Sequence, residues 1–188
     1  DEITAKGGLL GRKLTIAVAD ETMDPQQGVA AINKLTADEK VNVLIGGYNS
    51  GVTLAEEPHI ADAKTIYLGI GSASPQITEQ VGKKYDRFKY MFRVSPLNST
   101  HQAEGQIDFV VNKLKTDLHY TNIAIIGENA VWVQGLAPVL KAGVEKAGVK
   151  VAMLELFDPD MSDFTPIFSK VKQSGAQFIL TLVSHAAS

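Results

Sequence analysis

The sequence predicts an α/β fold built on parallel β-sheet, and three features of its pattern lead to that prediction. Short apolar runs rich in β-branched residues recur along the chain, small residues follow several of them, and longer amphipathic stretches separate them. Runs that are apolar at nearly every position are typical of parallel strands with both faces covered. Alternation of such strands with helices is the pattern of α/β proteins.

The first half of the chain contains four predicted strands, at residues 14–19, 41–45, 65–70 and 90–94. A helix is expected to begin where Asp24 precedes Pro25, because an aspartate N-cap followed by proline is a common helix start. Its inward face would carry Val29, Ile32 and Leu35. A second helix is expected from Ser50, as N-cap, to about Ala63. A polar stretch, residues 76–89, then leads to the fourth strand.

The pattern restarts after Ser95-Pro96, which divides the chain into halves of similar size. The second half contains predicted helices at residues 99–118, 132–147 and 164–174, and predicted strands at residues 122–126, 149–157 and 176–183. Two sheets joined by a crossing segment would place a cleft between them. One continuous sheet is the alternative, and the spacing of the elements leaves both arrangements open.

Amino-acid composition and charge exclude several classes of function. The chain has 188 residues, 45% of them hydrophobic, and its 18 basic and 21 acidic side chains leave a formal net charge of −3. That balance is too mild for a nucleic-acid-binding surface, and no apolar run approaches the roughly 20 residues that span a bilayer. The absence of cysteine excludes disulfides, thiolate nucleophiles and zinc–thiolate sites.

Both ends of the chain continue a secondary-structure pattern. Residues 1–6 have the pattern of the last turn of a helix, and Gly7-Gly8 is a typical C-cap pair. The last five residues, 184–188, follow directly on a predicted strand and contain no stop signal. We therefore expect this chain to be an interior part of a longer protein.

One candidate binding loop, Gly46-Gly47-Tyr48-Asn49-Ser50-Gly51, follows the second predicted strand. In open α/β sheets, ligands bind at the carboxyl ends of the strands. If Ser50 caps the next helix, its hydroxyl and the free N–H groups of the helix N-terminus would form an anion site. A capped tight turn with no ligand is the alternative.

A second candidate loop, Gly69-Ile70-Gly71-Ser72-Ala73-Ser74-Pro75, follows the third predicted strand. The small residues Gly71 and Ala73 would let a ligand approach the backbone, and Ser72 and Ser74 offer hydroxyls. The loop lacks the Gly-Lys-Ser/Thr of a phosphate-binding loop and the third glycine of a dinucleotide fingerprint. A polar strand-to-helix turn is the alternative.

Trp132, the single tryptophan, follows the strand predicted to end at Ile126. That position suits a cleft wall that stacks on a ligand, and plain packing at a helix start is the alternative.

Catalytic and metal-binding patterns are weak. The four histidines lack a metal-ligand spacing, and there is no nucleophile elbow. Asp20, Glu21 and Asp24 could be a magnesium cluster, but an N-cap before Pro25 explains Asp24 better, and capping also explains the later cluster, Asp158, Asp160 and Asp163. The sequence therefore predicts a protein that is not an enzyme and carries no metal or cofactor.

Several short motifs follow one another in a characteristic order. They lie at residues 7–14, 20–25, 43–55, 71–78, 92–96, 122–129, 135–136 and 163–166, and include Gly-Gly-Leu-Leu-Gly-Arg-Lys-Leu, Ile-Gly-Gly-Tyr-Asn-Ser-Gly and Asp-Phe-Thr-Pro. Together they resemble the leucine/isoleucine/valine-binding proteins, the type I periplasmic solute-binding proteins of branched-chain amino-acid ABC transporters. The resemblance covers nearly the whole chain.

The resemblance also points to missing parts. The family's first strand and helix, and the rest of its second lobe, have no counterpart in this sequence. Loss of a strand from the first sheet would expose apolar surface and unpaired backbone groups. The chain alone is therefore expected to be unstable, self-associated or part of a longer chain.

The resemblance implies a two-lobed fold in which each lobe is a parallel sheet flanked by helices. Residues 1–95 would belong to the N-terminal lobe and residues 96–188 to the C-terminal lobe, with the ligand cleft between them. The predicted ligand-binding residues are Tyr48, Asn49, Ser50, Gly51, Gly71, Ser72, Ala73 and Trp132.

The resemblance gives some of these residues a role. Ser50 matches the serine whose hydroxyl and neighbouring amides hold a ligand carboxylate. Gly71 and Ala73 match positions whose carbonyl and hydroxyl hold an ammonium group. Ala73 lacks that hydroxyl, for which Ser72 or Ser74 would substitute. Trp132 matches a cleft position of the second lobe that is often aromatic.

The implied function is that of an extracytoplasmic solute-binding component of an ABC importer, which captures an amino acid or related small carboxylate by lobe closure about the Ser95-Pro96 crossing. Its partners would be that ligand and the membrane permease, with no nucleic acid. The expected location is periplasmic or extracellular, free or lipid-anchored, with a signal peptide in the precursor. A ligand-sensing regulatory or receptor domain on the same fold and an α/β enzyme are the alternatives.

Overall fold

Two parallel β-sheets form the framework of the computed structural model, which describes residues 2–95 and 98–184. The first sheet has the order β1-β2-β3, with β1 at Val43–Gly46, β2 at Ile66–Gly69 and β3 at Met91–Arg93. The second has the order β5-β4-β6, with β4 at Asn122–Glu128, β5 at Lys150–Phe157 and β6 at Phe178–Leu182. The α/β prediction is confirmed, and the described strands form two sheets rather than one.

Helices connect these strands. They are α1 Glu2–Ala5, α2 Pro25–Asn33, α3 Ser50–Ala63, α4 Pro75–Lys83, α5 Tyr85–Phe88, α6 Ser99–Phe109, α7 Val131–Lys146 and α8 Thr165–Ser174. α2 and α6 continue as π-helix over Lys34–Asp38 and Val110–Asp117. As predicted, Asp24 caps α2, and its Oδ1 accepts from the backbone N–H of Gln26 at 2.7 Å. The polar stretch 76–89, for which the sequence predicts no element, forms most of α4 and all of α5.

The first predicted strand, residues 14–19, is wrong. This segment forms no strand, and Ile16 and Val18 are 77% and 79% exposed. A strand needs a neighbour to pair its backbone N–H and C=O groups. In the described part of the chain, β1 is an edge strand of the first sheet and no strand lies beside residues 14–19.

The two sheets differ in how they are covered. In the second sheet, Ile123 and Ile125 of β4 pack into a cluster with α6 and α7, and Ala124 and Ile126 pack into another with α8. The first sheet has one described apolar cluster, made by residues of all three strands with α2, α3 and α5. Its other face carries the exposed side chains of Val43, Ile45, Ile66 and Phe92.

The prediction that both faces of the sheet are covered is therefore confirmed for the second sheet and wrong for the first. The physical reason is that α2, α3 and α5 all contribute to the same cluster on one face of the first sheet.

Two predicted features fall at the limits of the described residues. Pro96 of the Ser95-Pro96 crossing lies outside them, and so do residues 185–188 at the end of the chain. Within residues 2–95 and 98–184, no helix combines the length and the apolar character needed to cross a bilayer.

Candidate functional site

The two candidate loops meet at the carboxyl edge of the first sheet. Gly46 of β1 pairs with Gly69 of β2, so the following residues leave the sheet side by side. The carbonyl of Gly47 accepts from the N–H groups of Gly71 at 2.9 Å and Ser72 at 3.0 Å. Gly47 has a φ of +81°, and a Cβ there would lie 2.0 Å from the Tyr67 hydroxyl. Only glycine therefore fits at position 47, where the first loop contacts the second.

Asn49, and not Ser50, is the N-cap of α3. Its Oδ1 accepts from the N–H groups of Gly51 at 2.8 Å and Val52 at 3.1 Å. The prediction that Ser50 is the cap is wrong because Asn49 has the extended backbone, with φ −81° and ψ 121°, that an N-cap requires, whereas Ser50 is already helical.

Because Asn49 caps α3, the hydroxyl of Ser50 is available for other contacts. Ser50 Oγ accepts from the backbone N–H of Ser74 at 3.1 Å and so links the two loops. A hydroxyl has one donor and two acceptor positions. The O–H of Ser50 can therefore still donate to a ligand oxygen.

The second loop is held from behind by Arg93 of β3. One guanidinium nitrogen donates to the carbonyl of Ser72, and Nη2 donates to the carbonyl of Ser74 at 2.7 Å. Burial lowers the pKa of Arg93, while the ionised form of the nearby Glu57 opposes that shift.

The polar groups of the second loop are engaged by other residues. The hydroxyl of Ser72 lies 2.6 Å from Thr53 Oγ1, and that of Ser74 accepts from the N–H of Gln76 at the start of α4. The carbonyl of Ala73 accepts from both the N–H and the hydroxyl of Ser99, at 2.8 and 3.1 Å. Both serine hydroxyls thus already make contacts within the loops.

Trp132 stands at the start of α7 and is fixed by a buried carboxylate. Its Nε1–H donates to Glu128 Oε1 at 2.7 Å, and Glu128, at the end of β4, is 1% exposed. The backbone N–H of Ser184 donates to Glu128 Oε2 at 3.2 Å, and the Ser184 hydroxyl donates to Oε1. Trp132 also packs against the core of the second sheet, so it contributes both to packing and to the site.

A cavity of about 280 Å³ lies between these groups. The first half of the chain lines it with Tyr48, Asn49, Ser50, Gly71 and Ala73, and the second half with Gln102, Glu128, Ala130, Val131, Trp132, Val183 and Ser184. Tyr48 also joins the two halves, because its hydroxyl donates to the carbonyl of Ser184 at 3.1 Å.

Six of the eight predicted site residues therefore lie around one cavity, and two do not line it. Gly51 lies in the first turn of α3, with its N–H bound to Asn49. Ser72 is buried, with its hydroxyl paired to Thr53 as described.

Sequence reasoning missed Gln102, Glu128 and Ser184. Glu128 is at the carboxyl end of a predicted strand, so the rule that selected the two loops could also have found it. Gln102 lies in α6, away from any strand end, and its sequence context carries no comparable signal.

The side chains of the acidic cluster after the first predicted strand accept hydrogen bonds from backbone N–H groups. Glu21 Oε1 accepts from the N–H of Tyr48 at 2.8 Å, Asp20 Oδ1 accepts from the N–H of Thr22 at 2.9 Å, and Asp24 caps α2. In the later cluster, Asp163 Oδ1 accepts from the N–H of Thr165 at the start of α8. Among the residues the structure describes, no three or more His, Cys, Asp or Glu side chains are grouped as a metal site would need.

Two carboxyl groups of α3 are buried behind the site. Glu56 and Glu57 are 1% and 0% exposed. Burial raises the pKa of Glu56 to about 7, with a further contribution from Glu21, and raises the pKa of Glu57 to about 8 against the opposing charge of Arg93. Burial likewise raises the pKa of the neighbouring Tyr67. Both carboxyls therefore hold their protons well above the usual pH range for glutamate.

Comparison with protein families identifies the fold. The family described as "Periplasmic binding protein" matches residues 1–188, the whole chain. The chain belongs to the periplasmic binding protein family. The resemblance inferred from the sequence motifs is thereby confirmed at the level of the family.

A curated relative in this family has a name that refers to amino acids. The "Amino acid binding protein" of Pseudomonas aeruginosa is 30% identical over 179 residues, which are 95% of this chain and 45% of that protein. The chain thus spans just under half the length of this relative.

Solved structures of the family share the fold. The branched-chain amino acid transporter substrate binding protein LivJ of Streptococcus pneumoniae, in complex with isoleucine, has a TM-score of 0.80 and 18% identity, over 96% of this chain and 48% of that one. A solute binding protein of an ABC transporter from Rhodopseudomonas palustris BisB5, in complex with 3,4-dihydroxy benzoic acid, has a TM-score of 0.81 and 18% identity, over 96% and 47%. The type I periplasmic-binding-protein fold is thereby confirmed.

Proposed function

We propose that this chain is part of the solute-binding component of an ABC importer, which captures an amino acid or a related small carboxylate. The observation that carries the proposal is the cavity, which Ser50 lines from the first half of the chain and Trp132 from the second. Membership of the periplasmic binding protein family and relatives named for amino-acid binding support the same function. The protein binds its solute without transforming it.

The ligand carboxylate lies at the start of α3. The hydroxyl of Ser50 donates to it, and the positive end of the helix dipole favours a negative charge at that position. The indole of Trp132 covers the apolar body of the ligand from the other side, where its Nε1–H is already satisfied by Glu128. Tyr48, Asn49, Gly51, Gly71, Ser72 and Ala73 complete the binding loops, by contact or by support.

Closure of two lobes over the ligand completes the mechanism. Residues 1–95 form part of one lobe and residues 96–188 part of the other, and the chain crosses between them near Ser95. The hydrogen bond from Tyr48 to Ser184 joins the two sides next to the cavity and supports a closed state. The closed form presents both lobes to the membrane permease of the transporter, on the periplasmic or extracellular side.

The test is calorimetric titration of the protein at its full natural length with leucine, isoleucine, 4-hydroxybenzoate and 3,4-dihydroxybenzoate. At least one of these compounds is expected to bind, and Ser50→Ala should weaken that binding by about tenfold or more, because a hydrogen bond to a charged group is worth about 1.5–3 kcal/mol.

The matched control is Ser174→Ala. Ser174 lies in α8, donates to the carbonyl of Val171 and does not line the cavity. It should leave the affinity unchanged, and a melting curve will show that both variants fold. Absence of binding by every compound, or full affinity in Ser50→Ala, would contradict the proposal.

A further inference from the structure

Gln102 differs from the other polar residues around the cavity. It lies in the first turns of α6 and lines the cavity together with Ser50 and Trp132. Its Oε1 is buried and, within the described part of the chain, has no hydrogen-bond partner. Leaving a buried acceptor unpaired destabilises a protein, so this oxygen calls for an explanation.

The other polar side chains that line the cavity are already engaged. Asn49 Oδ1 accepts two backbone N–H groups at the start of α3. Both oxygens of Glu128 accept from Trp132 or Ser184. Ser50 Oγ accepts from the N–H of Ser74 and retains a donor. Gln102 Oε1 is therefore the side-chain oxygen of the described lining that is both buried and unpaired.

We propose that Gln102 contacts the ligand and selects carboxylates that carry a hydrogen-bond donor, an N–H or O–H, on the part of the molecule that faces the second half of the chain. The inference rests on the proposed function, since it assumes that the ligand carboxylate lies at Ser50. With such a ligand bound, Gln102 Oε1 gains its missing partner. With an analogue that lacks the donor, the amide stays buried and unpaired.

This arrangement gives strong selectivity for a physical reason. A site that places a buried polar group against a ligand N–H or O–H rejects the analogue without that donor, because the polar group is then left unsatisfied. Two ligand classes carry the required chemistry. Amino acids supply an ammonium group, and hydroxylated aromatic acids supply a phenol.

Gln106 provides a matched control on the same helix. It lies one turn after Gln102, and its Oε1 is also buried without a partner in the described structure. It does not line the cavity. A role in folding would make the two glutamines respond alike, whereas a role in ligand selection involves Gln102 and not Gln106.

The experiment measures the affinities of two ligand pairs by calorimetry on the protein at its full natural length. The pairs are leucine with 4-methyl-2-oxopentanoate, and 4-hydroxybenzoate with benzoate, and the first member of each carries the extra donor. The wild type should prefer the first member of one pair by about tenfold or more, and the pair identifies the ligand class.

Gln102→Leu should abolish this preference, because the affinity for the ligand with the donor falls while the affinity for its analogue changes by less than about twofold. Gln106→Leu should retain the preference. Gln102→Glu keeps the acceptor oxygens and should also retain the preference, which covers the case in which Gln102→Leu does not fold.

Two different results would overturn the inference, and they are distinguishable. If the wild type binds no member of either pair, the proposed function fails for these ligands and the inference fails with it. If the wild type binds but Gln102→Leu keeps the preference, or loses affinity equally for both members, the inference alone fails. Gln102 then shapes the cavity without accepting a hydrogen bond from the ligand.

Discussion

Glu128 connects three parts of the site through one carboxylate. It receives the indole N–H of Trp132 from α7, and the backbone N–H and hydroxyl of Ser184 from the end of β6. Three donors from two residues thus converge on the two oxygens of this one side chain. The orientation of the aromatic wall therefore depends on a residue that does not need to touch the ligand.

Glu128→Gln should weaken the hydrogen bonds that hold Trp132 and Ser184 together. The amide nitrogen cannot accept a hydrogen bond, so either Trp132 Nε1–H or Ser184 N–H loses its partner. Because Trp132 is the single tryptophan, intrinsic fluorescence reports on it directly. The emission spectrum should shift, and ligand affinity should fall by about threefold to tenfold.

The control for Glu128→Gln is Glu145→Gln, which makes the same change on α7 in an exposed ion pair with Lys141. Its spectrum should equal that of the wild type. An unchanged spectrum together with unchanged ligand affinity would show that these hydrogen bonds do not hold the aromatic wall.

At this scale, the sequence predicted the site loops better than their individual contacts. Strand ends mark where a ligand can bind, and this rule found six residues that line the cavity. It did not distinguish Asn49 from Ser50 as the cap, because both residue types cap helices well. It could not find Gln102, whose role depends on how α6 packs beside another part of the chain.

The helix α3 links the site to a buried pair of carboxyl groups. Glu57 Oε2 accepts from Gln80 Nε2 at 2.8 Å, whereas neither oxygen of Glu56 has a partner in the described structure. Glu21, Tyr67 and Arg93 are the charged or titratable neighbours of this pair. The helix that begins beside the cavity thus continues into a region sensitive to pH.

The free energy of unfolding should fall as pH rises from about 5 to about 8. The pKa values of Glu56 and Glu57, about 7 and about 8, lie above the ordinary value of 4.5. Between these limits the folded chain retains protons that the unfolded chain has released, so raising the pH favours unfolding. Glu56→Gln is neutral in both states and should flatten this dependence over the range from about 5 to 7.

Urea denaturation at several pH values measures this slope. Glu104→Gln, which changes an exposed glutamate, should leave the slope as it is in the wild type. A Glu56→Gln slope identical to the wild type would mean that Glu56 is ionised in the folded protein.

The elements show why sequence patterns have limits. Strands β1 to β6 follow apolar runs that the pattern identified, because each run also finds a neighbour. Residues 14–19 have the same pattern but no neighbour in the described chain, and they form no strand. Helix α4 is polar over most of its length, with one buried residue, Ile77, so no long apolar stripe marked it in the sequence.

The two sheets differ in how much of their apolar surface is buried. Both faces of β4 are buried, whereas one face of the first sheet carries exposed Val43, Ile45, Ile66 and Phe92. Burial of apolar surface contributes roughly 25 cal/mol per Å², so the first sheet lacks stabilisation that the second has. The two-sheet division followed from the restart of the sequence pattern, whereas the uncovered face depends on which helices pack on each sheet.

Hydrogen exchange of the 188-residue chain should therefore separate the two sheets. The backbone amides of β2 and β4 are the informative pair, because each strand lies at the centre of its three-stranded sheet, which removes the effect of edge position. The amides of β2 should exchange at least about tenfold faster, since local opening there exposes less additional apolar surface to water. Equal protection of both strands would mean that the exposed apolar face is covered in solution, for example by self-association, which the concentration dependence of the exchange would reveal.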